Sequence, residues 1–334
     1  MKVLVLSAGK RVKIIEYLRQ AGVDTIIAAD CSELAPALYV ADSFYIVPRS
    51  PTPEYAPAVR DICRREGVDL CIPTLDMDIN PLAEYREEFA GFGTTLMISP
   101  APSIELASDK WKMYQFCVAH GISTPHTWID RAALEADLAS GAAQFPLFAK
   151  PVSSAGSVGA GIVRDSGDLD EVFAASEQML VQEFMNYEQF DVDVYLDLRS
   201  GQVRGINPKQ KLRMREGTTE KALVLDDPQL TAFIVNFFSK AAFSGVVDVD
   251  VYATPTGYSL LEVNPRFSWS YAHSHECGAN FIEALLADVA GTPVDHVVSA
   301  RPGWRAFAYD SLILKRAPTS RAGIESANPS PSPT

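Results

Sequence analysis

Positive charge is in short supply: 29 Lys and Arg face 42 Asp and Glu, for a net charge of −13. A general nucleic-acid binder needs a basic surface, so that class is excluded. Cysteine is sparse too. The five (Cys31, Cys63, Cys71, Cys117, Cys277) show no C-x-x-C spacing and read as reduced thiols. No run approaches the roughly 20 apolar residues of a membrane helix. The opening MKVLVLSAGKR has an apolar run too short for a signal peptide. The expectation is a soluble, cytoplasmic protein. Two nucleotide fingerprints are also missing. Ser7-Ala8-Gly9-Lys10-Arg11 is not G-x-G-x-x-G, and no Gly-Lys-Ser/Thr closes the small-residue loop at 153–161. Apolar residues are plentiful, at 47% with 10% aromatics over 334 residues, enough for two or three compact units.

Residues 1–100 alternate short apolar strands with amphipathic helices. VLVLSAG, TIIAADC, SFYIVP, VDLCIPT and TLMISP read as strands, and the stretches around 11–20, 54–66 and 78–90 as helices. That alternation predicts a parallel sheet with helices on both faces, whose ligands sit at the carboxyl ends of the strands. Ser7–Arg11 and Pro73–Asp76 lie at such ends. Lys10 and Arg11 at a helix start suit an anion, or simply a tight strand–helix turn.

The most informative stretch is GVVDVDVYATPTGYSLLEVNPRF, 245–267. Val247, Val249 and Val251 alternate with Asp248 and Asp250, and Leu261 and Val263 with Glu262 and Asn264. Strand side chains alternate between faces, so each strand has an apolar and an oxygen-bearing face. A three-residue turn Pro255-Thr256-Gly257 predicts a hairpin centred on Thr256. Asp250 then opposes Glu262, Asp248 opposes Asn264, Val249 meets Val263 and Val251 meets Leu261. Opposed residues have Cβ atoms roughly 4.5–5.5 Å apart. Facing carboxylates repel at that distance, and a hard divalent cation removes the conflict. Carboxylate and amide oxygens suit Mg²⁺. Arg266 adds a fork for an anion. The plainer alternative is a solvated hairpin face.

Other stretches fit beside it. Phe145–Pro151 is a strand carrying Lys150 near its end, followed by SSAGSVGAG, whose backbone can approach phosphates closely or serve as a linker. Met179–Met185 and 189–197 are further strands. Asn207–Gly217 is the densest basic run. By alternation Lys209, Lys211, Arg213 and Arg215 share one face, with Leu212 and Met214 on the other. Such a stripe can neutralise a triphosphate and a developing acyl phosphate, although most charge runs are solvated faces. His273, His275, Glu276 and Cys277 cluster, but two histidines two apart fit no common helical zinc spacing. Helices are expected over 102–121, with a new start near Asp109, and over 226–243 and 279–290. Phe307–Arg316 reads as a final strand, and 317–334 as a disordered tail.

Leu-Glu-Val-Asn-Pro-Arg (261–266), preceded by Asp-Val-Asp-Val (248–251), resembles the Mg²⁺-binding end of the ATP-grasp superfamily. The likeness is greatest to carbamoyl-phosphate synthase-like and PylC-like ligases, with D-alanine–D-alanine ligase more distant. Asp109-Lys110-Trp111-Lys112-Met113 resembles the family's D-K-x-x-M/F segment. The resemblance implies an α/β and α+β protein: an N-terminal parallel-sheet, pre-ATP-grasp domain (1–108), then a two-lobed ATP-grasp fold (109–189 and 190–316). It implies that Lys110 contacts nucleotide and that Lys150 meets the α- and β-phosphates. Ser154, Gly156, Ser157 and Gly159 belong to a phosphate-covering loop. Glu183, Phe184 and Met185 read adenine through their backbone. Glu188 or Gln189 takes the ribose; where the family carries a carboxylate, the best-aligned residue here is Gln189. Arg215, with Lys209 or Lys211 second, approaches the γ-phosphate beside Arg266. Asp250, Glu262 and Asn264 hold Mg²⁺, with Mn²⁺ as a substitute.

The implied activity is ADP-forming ligation, in which ATP phosphorylates a small-molecule carboxylate and an amine attacks the acyl phosphate. Carboxyphosphate or carbamoyl-type phosphorylation, or nucleotide binding without turnover, are the alternatives. A homodimer is left open.

Overall fold

The computed structural model describes residues 1–153, 159–215, 217–292, 294 and 296–315. They form two compact units, Met1–Ile98 with Val289–Gly291 and the residues from Tyr309, and Ser99–Asp288 with Thr292–Ala308.

The first unit holds β1 (Lys2–Val5), β2 (Thr25–Asp30), β3 (Ser43–Ile46), β4 (Leu70–Ile72) and β5 (Thr95–Leu96) in the order β3-β2-β1-β4-β5, every pair parallel. Their continuous apolar runs are what a sheet covered on both faces needs. Val3, Leu4, Val5, Ile26 and Ile27 are buried completely. Helices Val12–Gln20, Tyr55–Glu66, Asp76–Leu82 and Arg86–Gly91 connect the strands. At the carboxyl ends Ser7 takes the left-handed φ of 44° and donates from Oγ to Asp78 Oδ1 at 2.7 Å. Tyr55 donates to the same oxygen at 2.9 Å. Burial pushes the Asp78 carboxyl up. Lys10 is exposed, whereas Arg11 is buried and donates to Thr74 O at 3.0 Å.

The second unit contains two antiparallel sheets. β6 (Thr127–Trp128), β7 (Leu147–Pro151), β8 (Gly161–Val163) and β9 (Met179–Glu183) form a four-stranded sheet in the order β6-β9-β7-β8. Trp128, Leu134, Leu147, Val163, Leu169 and Val181 make its core, with helices Arg131–Ser140 and Ser166–Phe173. Residues 184–188 lead across to β10 (Gln189–Leu196). With β11 (Val203–Arg215), β12 (Thr218–Val224), β13 (Gly245–Thr254), β14 (Gly257–Asn264) and β15 (Arg305–Phe307) it forms a six-stranded sheet, β14-β13-β10-β11-β12-β15. Val192, Val194, Val247, Val249, Val251 and Val263 line one face and pack with Leu230, Ile234 and Phe237 of helix Pro228–Phe238.

The expected break at Asp109 is present. Helix Ala101–Ser108 ends there, and the Asp109 carboxylate accepts from Trp111 N and Lys112 N to start Lys110–His120. The final strand was expected over Phe307–Arg316, but residues 308–315 carry no strand and the last one lies earlier. It covers Arg305–Phe307, pairs with Lys221–Leu223, and its ladder ends at the bond from Ala308 N to Glu220 O.

Candidate active site

The same pentapeptide, Asp-Val-Asp-Val-Tyr, occurs at 191–195 and 248–252. β10 and β13 pair antiparallel with Val192 opposite Val249, so Asp191 meets Asp250 and Asp193 meets Asp248. One face is valine and core; the other carries a block of four aspartates. β14 and β11 extend it into two rungs. Glu262, Asp250, Asp191 and Lys209 form one, and Asn264, Asp248, Asp193 and Asn207 the other. The register expected for Asp250–Glu262, Asp248–Asn264 and Val249–Val263 is present.

Beyond Asp250 the register differs from expectation. Val251 opposes Leu260, not Leu261, and the ladder closes at Thr254–Gly257. The turn is therefore two residues, Pro255-Thr256, and Leu261 is the extra residue of a bulge. Gly257, at φ 130°, follows the turn. The bulge is anchored from outside: Leu260 N donates to Ser123 O at 2.8 Å, and Thr124 Oγ1 to Leu260 O at 3.0 Å.

Cations are interleaved with the aspartates. Lys209 Nζ is wholly enclosed, 2.6 Å from Asp193 Oδ2, 3.2 Å from Asp191 Oδ1 and 2.9 Å from Ser270 Oγ. Lys211 Nζ sits 2.6 Å from Asp250 Oδ1, and Arg266 2.9 Å from Asp248 Oδ2. Ser270 donates to Asp191 Oδ2, Ser274 to Asp193 Oδ2 and Asn207 to Ser274 Oγ. Burial acts to raise Asp191, but Lys209 and Lys211 hold its carboxyl well below the usual range. Asp248 goes the other way, pushed up by burial and by Asp191 and Asp250 despite Arg266. Burial also raises Asp250, against the pull of Lys211.

Across from this face, Phe148 and Lys150 of β7 share a side of the four-stranded sheet with Leu180 and Gln182 of β9 and Thr127 of β6. A pocket is lined by Lys110, Lys150, Gln182 and Glu262 together with Met113, Tyr114, Leu261 and Val263. Lys110 Nζ is 3.5 Å from Glu262 Oε1. Burial lowers Lys150 to about 8, with Glu262 opposing the shift and Lys110 adding to it. This is an apolar slot with a charged end.

Several expected residues sit elsewhere. Lys209 was expected to approach phosphate, but its ammonium is committed to two buried carboxylates. The basic stripe is not continuous. Register shifts on either side of Arg213 place Met214 opposite Thr219, its sulfur 3.6 Å from Thr219 Oγ1, which itself donates to Asp191. Arg213 and Arg215 both turn to Glu220, at 3.1 and 3.5 Å, and Arg215 is half-exposed. Glu183 and Glu188 are exposed, and Phe184 and Met185 half-buried. Glu183 N donates to His126 O. Gln189 donates to Tyr252 Oη at 3.3 Å. Ser154, Gly156 and Ser157 lie outside the described residues, whereas Gly159 is described, with φ 74°. His273 is buried in helix Tyr271–Glu276 with no hydrogen bond to Nδ1. Burial and the Lys209 charge lower it to about 4.

Three residues that could act as ligands escaped the sequence reading. Asp191, Asp193 and Asp248 bring one carboxylate oxygen each within 4.8 Å of one another. Oδ1 of each is buried without a hydrogen bond, although that of Asp191 lies 3.2 Å from the Lys209 ammonium. The repeated pentapeptide was the available signal. Gln182, in the pocket, had none. No helix among the described residues is long and apolar enough to cross a membrane.

Residues 3–97 match the family model "PylC-like, N-terminal domain", and residues 175–311 the model "ATP-grasp in the biosynthetic pathway with Ter operon". The chain is 27% identical over 238 residues to a 3-methyl-D-ornithine–L-lysine ligase of Methanosarcina acetivorans, which covers 70% of this chain and 58% of the relative. It is 24% identical over 271 residues to a carbamoyl phosphate synthase large chain of Thermoplasma acidophilum, covering 75% of this chain but 25% of that one. Among solved structures, the ADP complex of N5-carboxyaminoimidazole synthetase from Staphylococcus aureus superposes with a TM-score of 0.71 at 15% identity, covering 90% of this chain and 79% of that one. The biotin carboxylase domain of Hydrogenobacter thermophilus 2-oxoglutarate carboxylase, with MgADP and bicarbonate, gives 0.70 at 16%, covering 90% and 72%. Parallel-sheet unit, paired antiparallel sheets and family matches agree: residues 3–97 match a PylC-like N-terminal domain, residues 175–311 match an ATP-grasp domain, and the fold is that of the ATP-grasp structures.

Proposed function

We propose that the chain is an ATP-dependent, ADP-forming ligase that joins a small-molecule carboxylate to an amine through an acyl phosphate. The observation that carries this reading is the meeting of Lys110, Lys150 and Glu262 in one pocket, beside a sheet face of four aspartates. Two lysines in a largely enclosed slot suit polyphosphate, and the adjoining carboxylates would repel it unless a cation intervened.

The residues fit such a cation. Four aspartates face three cationic side chains, all their donors are hard oxygens, and next to Asp250 and Asn264 the buried Oδ1 atoms of Asp193 and Asp248 lack hydrogen bonds. Asp250, Glu262 and Asn264 would hold Mg²⁺ or Mn²⁺. When bound, it would neutralise phosphate charge during transfer. Lys150 binds the middle phosphates while it is protonated. Arg266, beside Asp248, offers an anion fork at the far end. Among the residues proposed for the terminal phosphate, Lys211 lies 2.6 Å from Asp250 Oδ1, one of the proposed metal ligands. Lys209 positions Asp191 and Asp193 instead of contacting substrate.

Relatives named as ligases of 3-methyl-D-ornithine with L-lysine and of D-alanine with D-alanine support amino-acid-like substrates. The test is an amino-acid screen for substrate-dependent ADP release. A substrate carboxylate labelled with ¹⁸O should pass one labelled oxygen to the released phosphate. Label in AMP, with pyrophosphate released, refutes the acyl-phosphate route.

A further inference from the structure

The pocket's polar wall is set by a hydrogen-bond chain that only one amide orientation satisfies. Thr127 and Gln182 are cross-strand partners on β6 and β9, and both side chains are buried. Thr127 Oγ1 donates its single proton to Pro125 O at 2.9 Å. Toward Gln182 it can therefore act only as an acceptor, and it takes Gln182 Nε2–H at 2.9 Å. With the amide nitrogen fixed on Thr127, the other end of the side chain, Oε1, is the group left to face the slot between Met113, Tyr114, Leu261 and Val263.

We propose that Thr127 is a specificity-determining positioning residue: by holding the Gln182 amide with its oxygen toward the pocket, it selects a 6-aminopurine nucleotide over a 6-oxopurine. The inference rests on the nucleotide-binding reading above. A 6-amino group donates to Oε1. A 6-oxo group would bring two acceptors together at a buried side chain, a mismatch that costs binding because neither oxygen gains a proton. Thr127 itself touches no ligand. It acts by denying the amide the half-turn that would offer Nε2–H to a 6-oxo group.

The experiment measures dissociation constants for Mg·ATP and Mg·GTP by calorimetry on the full chain. Thr127→Val keeps the shape but removes the acceptor, and the ATP-over-GTP ratio should fall by about tenfold or more. Thr127→Ser keeps the hydroxyl and should keep the ratio. Gln182→Met should lose the preference by itself, which keeps the test informative if Thr127→Val fails to fold. Equal weakening of both nucleotides in Thr127→Val, with the ratio preserved, would reduce Thr127 to a packing residue and overturn the proposal. So would a wild-type chain that binds ATP and GTP alike. A wild-type chain that binds neither overturns the nucleotide reading as well.

Discussion

Lys211 places its ammonium 2.6 Å from Asp250 Oδ1, on the carboxylate that also faces Glu262 across the hairpin. A buried ammonium thus stands where a divalent cation would relieve the same repulsion. Lysine and metal should compete. Lys211→Met is expected to bind Mn²⁺ more tightly than wild type without nucleotide, and Mg·ATP more weakly. Electron paramagnetic resonance of free Mn²⁺ reads the first, and nucleotide titration the second. A change of the same sign in both would argue against competition at this carboxylate.

Glu262→Ala and Asn264→Ala each remove an oxygen from the proposed metal site. Substrate-dependent ADP release should fall by about tenfold or more. Melting temperature should change little, since both side chains are partly exposed. Near-wild-type turnover at limiting Mg²⁺ would move the metal elsewhere on this face, with Asp191, Asp193 and Asp248 the alternative set.

Lys209→Met tests a different role. It leaves Asp191 and Asp193 buried without their shared counter-ion, and breaking such a pair costs about 3–5 kcal/mol. Thermal unfolding should show a large loss of stability. A stable Lys209→Met that loses only nucleotide affinity would instead restore Lys209 to the phosphate.

Burial holds Lys150 at about 8, below its ordinary 10.5. A bound polyphosphate favours the protonated form, so ATP binding should take up a proton at about pH 9 and almost none at about pH 6.5. Calorimetry in buffers of different ionisation enthalpy measures that uptake, and Lys150→Met should abolish it. The stability sign is separate. Between about 8 and 10.5 the unfolded chain holds more protons at this lysine, so its contribution to stability rises with pH across that window.

His273 titrates near 4 in the fold against 6.5 ordinarily. Between those values the unfolded chain binds more protons, so stability falls as pH drops through this window. His273→Gln should flatten the decline, as read from melting temperature against pH. An unchanged slope would assign the acid sensitivity to other groups.

The parallel sheet and the inner half of the hairpin were legible because alternation and apolar runs report directly which face is buried. Asp250 opposite Glu262 was expected from centring the hairpin on Thr256, and it holds because the Leu261 bulge makes up the residue that the two-residue turn lacks. Parity fails where a residue is inserted. The Leu261 bulge and the shifts around Arg213 depend on partners such as Ser123 and Thr219, distant in the chain. Enclosure is equally silent. Nothing local tells Lys209, with no exposed surface, from half-exposed Arg215 on the same strand. Gln182 gains meaning only beside Thr127, 55 residues earlier.

At the bulge three consecutive residues, Leu261, Glu262 and Val263, line one pocket, with the inserted Leu261 next to the acidic Glu262. The apolar wall and the acidic end thereby become a single lever. Any tilt of the hairpin tip moves both together, and the bonds from Ser123 and Thr124 to Leu260 are its fulcrum. Removing Leu261 would restore an unbroken ladder. It would also separate grip on the apolar part of a ligand from grip on its charge, leaving a more regular sheet and a poorer site.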